Sequence, residues 1–171
     1  GNGIYNFGTG AAGAGTDRAL GGLSSGSASK SVNTYVDFYN NGAGSITGLT
    51  ISFDVEKYRK GSNAAGFRIQ MYYSTNGSTW TDAGAAFSGS FSVDPDNTGY
   101  AIVPGATASV TLQSLAQVIP AGTHIYLAWN YSVASASTTS NAQALGIDNV
   151  VVTAVGAAPL ITLSTNSIAD F

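Results

Sequence analysis

The stretch LTISFDVEKY, Leu49 to Tyr58, alternates apolar and polar side chains with a period of two. Successive side chains of a β-strand point to opposite faces of the sheet, so this period predicts a strand with one buried face. The predicted core face consists of Leu49, Ile51, Phe53 and Val55, and the opposite face of Thr50, Ser52, Asp54 and Glu56.

Three further segments repeat the alternation: VNTYVDFYN (32–40), FRIQMYY (67–73) and HIYLAWNY (124–131). No helical period of similar strength competes with them, and short turn segments rich in Gly, Asn, Asp and Pro separate them. Many short strands at this spacing predict an all-β chain folded as a two-sheet antiparallel β-sandwich. Its predicted core faces also include Val32, Thr34, Val36, Phe38, Phe67, Ile69, Met71, Tyr73, Ile125, Leu127, Trp129 and Tyr131.

The composition excludes several function classes. Only 9% of the 171 residues are charged, and the net charge of -3 leaves no basic surface to neutralise phosphates, which argues against nucleic-acid binding. Cysteine is absent, which excludes disulfides, thiol catalysis and thiolate metal sites. No apolar run reaches the roughly 18 residues that a membrane-spanning helix needs, so no membrane span is expected.

The central segments suggest a hairpin and a candidate binding face. If 49–58 and 66–73 pair around the loop RKGSNAA, Glu56 lies opposite Arg68 and Asp54 opposite Gln70. This acidic and basic pair is either a salt bridge on a solvated face or part of a sugar-binding surface, because aromatic rings stack on sugars and planar polar groups bind hydroxyls. The candidate carbohydrate-binding residues are Tyr35, Asp37, Tyr39, Asp54, Glu56, Arg68, Gln70, Tyr72, Tyr126 and Asn130.

The segment DPDNTG, 94–99, places Asp94, Asp96 and Asn97 close together as hard oxygen ligands. Such ligands suit a structural Ca²⁺ ion, and Asp148 before the last strand could complete the site. The same residues are common turn formers, and the pattern is more typical of a loop without a metal.

The stretch YYSTNGSTWTDAG, 72–84, contains Asn76-Gly77, the pair preferred in a tight type I′ hairpin turn. Its spacing resembles an Asp-box hairpin, with Asn in place of Asp and one residue fewer. The resemblance implies that Trp80 packs beneath its own turn, while the alternative is a ring that holds a ligand.

Catalytic patterns are weak. His124 is the single histidine and falls at a strand start, where a solvated imidazole is expected. A general base would need a nucleophile and an orienting carboxylate nearby. Pairs of carboxylates drawn from Asp37, Asp54 and Glu56 occur on any acidic sheet face. The chain is therefore not expected to be an enzyme, although a small hydrolase is a rival hypothesis.

Taken together, IYNFGTG, DRALGGLSSGS, EKYRKG, GTHIYLAWNY and LGIDNVVVTA resemble jelly-roll β-sandwich modules appended to secreted bacterial enzymes and surface proteins. The chain is similar to carbohydrate-binding modules of that fold over roughly residues 4–154. This resemblance implies a jelly roll at 1–154, a non-catalytic accessory role, a location outside the cell or on its surface, and often a structural Ca²⁺.

The small-residue segment 155–159 is predicted to be a linker, and 160–171 to begin a following β-domain that is cut short, so the parent protein is expected to be multi-domain. The expected function is to tether a larger secreted protein to a polysaccharide. The alternative is a structural spacer or an adhesin-like protein-contact module.

Overall fold

The computed structural model describes residues 2–8, 15, 17–27 and 30–156, and the backbone of 161–163. These residues form β-strands and one short 3₁₀ turn, Ala85–Phe87, with no α-helix in the described ranges. The strands are β1 (Gly3–Gly8), β2 (Arg18–Leu23), β3 (Val32–Asn40), β4 (Gly48–Arg59), β5 (Phe67–Ser74), β6 (Thr81–Asp82), β7 (Ser88–Phe91), β8 (Ala106–Leu115), β9 (His124–Val133), β10 (Ala144–Val155) and β11 (Ile161–Leu163).

The strands form two antiparallel sheets. Sheet A has the order β1-β2-β10-β4-β8, and sheet B has the order β11-β3-β9-β5-β6, with β7 also paired to β5. Within these sheets, β2-β10-β4-β8 and β3-β9-β5-β7 form the two four-stranded layers of a jelly roll, in which the chain crosses repeatedly from one sheet to the other. The predicted all-β sandwich is confirmed.

The core lies between the inner faces of the two sheets. Every residue predicted on the core face of β4 is buried, as are Phe67, Ile69 and Met71 of β5 and the four predicted residues of β9. Val36, Phe38 and Tyr73 are partly buried and pack against the same cluster. Because the sheets contribute alternate residues, a period of two was sufficient to identify the core.

The predicted β4–β5 hairpin is wrong. β4 lies in sheet A between β10 and β8, whereas β5 lies in sheet B beside β9. Glu56 is opposite Gly146 and Thr107, and Arg68 is opposite Ser132 and Ser90. The connection between the two strands crosses from one sheet to the other. An alternating pattern shows which face of a strand is buried, but it does not show which strand lies beside it.

Two irregularities flank the middle of β4. The pairing with β10 shifts between Asp148 and Val151, where Asn149 has φ 52°, and the pairing with β8 shifts near Leu112, which has φ 49°. Leu112 is 70% exposed. A left-handed conformation is rare for a branched residue, and both positions are β-bulges that bend their strands.

The end of the described chain contacts the sandwich. The backbone of β11 pairs antiparallel with Phe38 to Asn40 of β3, at the edge of sheet B. The predicted boundary at residue 154 and the predicted domain after 160 stay predictions, since most of the residues concerned lie outside the described ranges. No helix in the described part of the chain has the length and apolar character to cross a membrane.

Candidate functional site

The outer face of sheet B carries a group of aromatic side chains at its centre. We call Tyr35, Tyr72, Trp80 and Tyr126 the aromatic face. Tyr35 on β3 and Tyr72 on β5 both lie opposite Ala128 of the central strand β9, so the three residues form one row across the sheet. Ala128 is only 3% exposed, so the groups around it cover its small side chain. Tyr35 is 59% exposed.

Trp80 completes the aromatic face from the loop 74–80. Its ring centroid lies 5.4 Å from that of Tyr35 at an angle of 50°. The indole is half-buried. Trp80 therefore packs across the sheet on a ring of β3. That it also packs beneath its own turn, as the Asp-box resemblance implies, stays a prediction.

The loop that carries Trp80 is held by its own polar side chains. The Asn76 Oδ1 atom accepts hydrogen bonds from the amides of Ser78 and Thr79 at 2.9 and 2.8 Å, and the Ser74 hydroxyl accepts from the amide of Gly77. Gly77 has φ 71°, and a Cβ atom there would lie 3.4 Å from the ring of Tyr126. The loop thus packs on the aromatic face. The β5–β6 pair next to the loop is Tyr73 with Thr81, so residues 74–80 all belong to the loop. The predicted two-residue turn at Asn76-Gly77 is therefore wrong.

Polar groups flank the aromatic row along the strands. On one side, Asn130 Nδ2 donates to Asn33 Oδ1 at 2.7 Å. On the other side, His124 Nδ1 lies 2.8 Å from Asp37 Oδ1, and the imidazole lies between the rings of Tyr39 and Tyr126 at centroid distances of 4.9 and 5.8 Å. Sequence reasoning treated His124 as a solvated strand end and missed this pairing, although the alternation places Asp37 and His124 on the same face.

Two predicted residues on sheet B are less accessible than expected. Gln70 is 2% exposed, and its amide nitrogen donates to the carbonyls of Met71 and Gly84. The segment after β6 therefore covers this part of the face. Arg68 is half-buried, and its buried Nε atom has no hydrogen-bond partner within the described part of the chain.

Asp54 and Glu56 lie on the outer face of sheet A, and the core separates them from the aromatic face. Asp54 accepts hydrogen bonds from Ser109 at 2.5 Å and from Asn149 at 2.9 Å, on the two sides of β4. Asp54 therefore links β4 to β8 at Ser109 and to the bulge of β10 at Asn149. Glu56 is 6% exposed and accepts a hydrogen bond from the Tyr58 hydroxyl at 2.5 Å.

The electrostatic environment of Glu56 is acidic. Burial raises its pKa, the hydrogen bond from Tyr58 opposes that rise, and the nearby carboxylates of Asp148, Asp17 and Asp54 add to it. The proposed single binding face is thus divided between two sheets, with eight of the ten candidate residues on sheet B.

The predicted metal ligands stabilise the connection between β4 and β5. Asp94 binds Lys57 and the Gly61 amide, Asp96 binds Lys60, and Asn97 accepts from the Ser62 amide at 2.9 Å. Asp148 lies on β10 opposite Asp54, on the outer face of sheet A. The described residues include no group of three or more acidic or histidine side chains placed to hold a metal ion.

Comparisons of this chain with protein-family models, with curated proteins and with solved structures gave no match. The functional argument therefore depends on the geometry of the site.

Proposed function

We propose that this chain is a non-catalytic carbohydrate-binding module that tethers a larger secreted or cell-surface protein to a polysaccharide. The observation that carries the proposal is the aromatic face. An exposed Tyr35 ring next to the half-buried Trp80 ring offers flat apolar surface in the middle of an open sheet. Flat rings of this kind stack on the C–H face of a sugar.

The flanking polar groups support the same function. The Asn33–Asn130 amide pair and the Asp37–His124 pair lie on either side of the aromatic row. Neighbouring rows on one face of a sheet are about 7 Å apart, since each residue advances a strand by about 3.3 Å. Hydroxyl groups around a sugar ring stacked on Tyr35 would therefore be within reach of both pairs.

Several contacts support a role without catalysis. Both carboxylate oxygens of Asp54 accept hydrogen bonds, one from Ser109 and one from Asn149, and Glu56 is buried against Tyr58. A glycosidase needs two accessible carboxyls about 5 to 9.5 Å apart on either side of the scissile bond. These two side chains are committed to the structure of sheet A.

The proposal is tested by binding to a panel of polysaccharides, with insoluble ones in pull-down assays and soluble ones in affinity electrophoresis. Tyr35→Ala should reduce binding to the preferred polysaccharide about tenfold, because a stacking ring contributes roughly 1 kcal/mol or more. Val151→Ala is the matched control, since Val151 is 56% exposed on a strand of the opposite sheet.

Equal loss of binding in both variants, or no effect of Tyr35→Ala on a polysaccharide that the wild type retains, would remove the aromatic face as the site. Failure of the wild type to bind any member of the panel would favour the spacer or protein-contact function.

A further inference from the structure

An open cleft of about 850 Å³ lies at the opposite sheet, away from the aromatic face. Strand β1, the segment after β2, the end of β4 and the segment before β10 surround it. Its lining includes Tyr5, Phe7, Tyr58, Arg59, Val103 and Asn141. None of these residues belongs to the site on sheet B.

One side of the cleft is a stack of aromatic rings. The Phe7 and Tyr58 rings are nearly parallel at a centroid distance of 4.5 Å, and Tyr5 continues the stack at 5.3 Å from Phe7. Phe7 reaches across the sheet because Gly146 lies beneath it, where a Cβ atom would be 3.1 Å from the Phe7 ring. Tyr5 is partly exposed and lines the cleft, so part of its ring is accessible to a ligand.

The floor of the cleft is rigid. Tyr58 is 8% exposed, and its hydroxyl is held by the Glu56 carboxylate. Glu56 contacts the ring at its hydroxyl and does not itself line the cleft. Because this aromatic surface is already rigid, its side chains lose little conformational entropy when a ligand binds.

The charged group on the surface of the cleft is a cation, in a protein whose net charge is -3, while the carboxylates of Glu56, Asp148 and Asp17 lie near Tyr58 outside the lining. Among the described residues that line it, Arg59 is the charged one. Its Nη1 atom donates to the Ala142 carbonyl at 2.6 Å, which orients the guanidinium, and within the described chain no carboxylate forms an ion pair with it. A guanidinium has five N–H donors in a planar fork, so donors remain for a ligand.

A second guanidinium lies close to the cleft. The Arg18 side chain lies against Gly8, one of the lining residues, and a Cβ atom at that glycine would be 2.8 Å from Arg18 Nη1. Neutral polar groups occupy other parts of the lining. Asn141 is exposed there with φ 53°, and its amide can bind hydroxyls.

We infer that this cleft binds a carboxylated sugar, the uronate unit of an acidic glycan. Arg59 receives the carboxylate in a bidentate contact, the accessible part of the Tyr5 ring receives the sugar ring, and Asn141 binds a hydroxyl. A planar fork matched to a carboxylate, beside stacked rings and without a lining carboxylate, selects an acidic sugar over a neutral one. The inference does not depend on the aromatic face of sheet B.

The test is an NMR titration of the isotope-labelled chain with trigalacturonate, with neutral galactotriose and with acetate. Trigalacturonate should shift the amide signals of Tyr5, Phe7 and Asn141. The affinity for galactotriose should be lower than that for trigalacturonate by at least about tenfold. Arg59→Gln should weaken trigalacturonate binding about tenfold to a hundredfold, and Arg59→Lys should give an intermediate loss. Lys60→Gln is the matched control, because it removes the adjacent positive charge, which pairs with Asp96 away from the lining.

Equal affinity for the acidic and the neutral trisaccharide would overturn the inference, as would an effect of Lys60→Gln as large as that of Arg59→Gln. Acetate binding as tight as trigalacturonate binding would show a site for any small anion and would also overturn the inference, as would the absence of any shift at millimolar trigalacturonate.

If Arg59→Gln does not fold, Tyr5→Ala keeps every charge and should still weaken trigalacturonate binding several-fold. Tyr35→Ala should leave trigalacturonate binding unchanged, which separates this site from the aromatic face.

Discussion

Lys57 Nζ lies 2.7 Å from Asp94 Oδ1, and the two side chains are only 7% and 12% exposed. The same carboxylate accepts hydrogen bonds from the Gly61 amide and from Gln143. Asp94 thus joins β4, the β4–β5 connection and the segment before β10. The charged pair stabilises the point where the chain crosses between the sheets.

Asp94→Asn should lower the free energy of unfolding by about 3 kcal/mol, because it leaves the Lys57 ammonium buried without a compensating charge. Urea unfolding followed by tryptophan fluorescence measures this change. Asp96→Asn is the control, since Asp96 is 41% exposed and its pair with Lys60 should contribute little. Similar losses in the two variants would contradict the structural role of the buried pair.

The acid dependence of stability should follow the same carboxylate. Burial would raise the pKa of Asp94, but hydrogen bonds from Lys57, the Gly61 amide and Gln143 outweigh it and hold the pKa below 3.8. A lowered pKa adds stability above the unfolded value, and this contribution is lost as pH falls through the folded value. The difference between wild type and Asp94→Asn should be complete at neutral pH and shrink below pH 3.8. A difference that stays constant down to acid unfolding would rule out this linkage.

Glu56 should show the opposite pH dependence. Its pKa is raised above 4.5, mainly by burial, so the charged form is disfavoured in the folded state. Glu56→Gln keeps an acceptor for the Tyr58 hydroxyl and removes the charge. The variant should therefore be more stable than wild type at neutral pH, and the advantage should vanish below pH 4.5, where the carboxyl is neutral in both states. Thermal unfolding across this pH range is the measurement, and a less stable variant at neutral pH would contradict it.

The two tryptophans should differ in their contribution to stability. Trp129 is 3% exposed and packs edge-on against Phe53 at a centroid distance of 5.9 Å, so Trp129→Ala should cost about 3 to 5 kcal/mol. Trp80 is half-buried on the surface, so Trp80→Ala should cost about 1 kcal/mol and weaken polysaccharide binding. Calorimetric unfolding of both variants compares them, and a larger loss for Trp80→Ala would show that the loop 74–80 is part of the core.

Leu112 offers a stabilising substitution. Its φ of 49° is unfavourable for a residue with a Cβ atom, and its side chain is largely exposed, so little burial is lost on removal. Leu112→Gly should raise the free energy of unfolding by up to about 1 kcal/mol. Val151→Gly, also at an exposed position in a strand, should instead lower it by about 0.5 to 1 kcal/mol. Destabilisation by both substitutions would mean that Leu112 makes contacts that offset its strain.

The period of two was enough to predict the strands, the two-sheet sandwich and the core face, because burial on one side of a sheet is a local property of the sequence. Which strands are neighbours is not local. Glu56 and Arg68 have the spacing of a hairpin, but the jelly roll places β4 and β5 in different sheets. The resemblance to jelly-roll modules contained this information, whereas the alternation did not.

The positions of the candidate site residues were predictable in part. Tyr35, Asp37, Tyr72, Tyr126 and Asn130 were expected on an outer face, and the structure places them on sheet B. The contribution of Trp80 depends on how the loop 74–80 folds back over the sheet, which turn propensities do not determine. The cleft beside Tyr5 and Arg59 depends on contacts between segments far apart in the chain, so no short motif predicts it.

The bulge at Leu112 also affects how copies of this domain meet. β8 is the last strand of sheet A, and one of its edges has no strand beside it in the described sheet. A straight edge strand would offer regular backbone donors and acceptors to the same strand of another molecule, which is how sheets polymerise. The left-handed residue breaks that regular series near the middle of β8. Many copies can therefore be crowded on one surface without joining through this edge into a fibre.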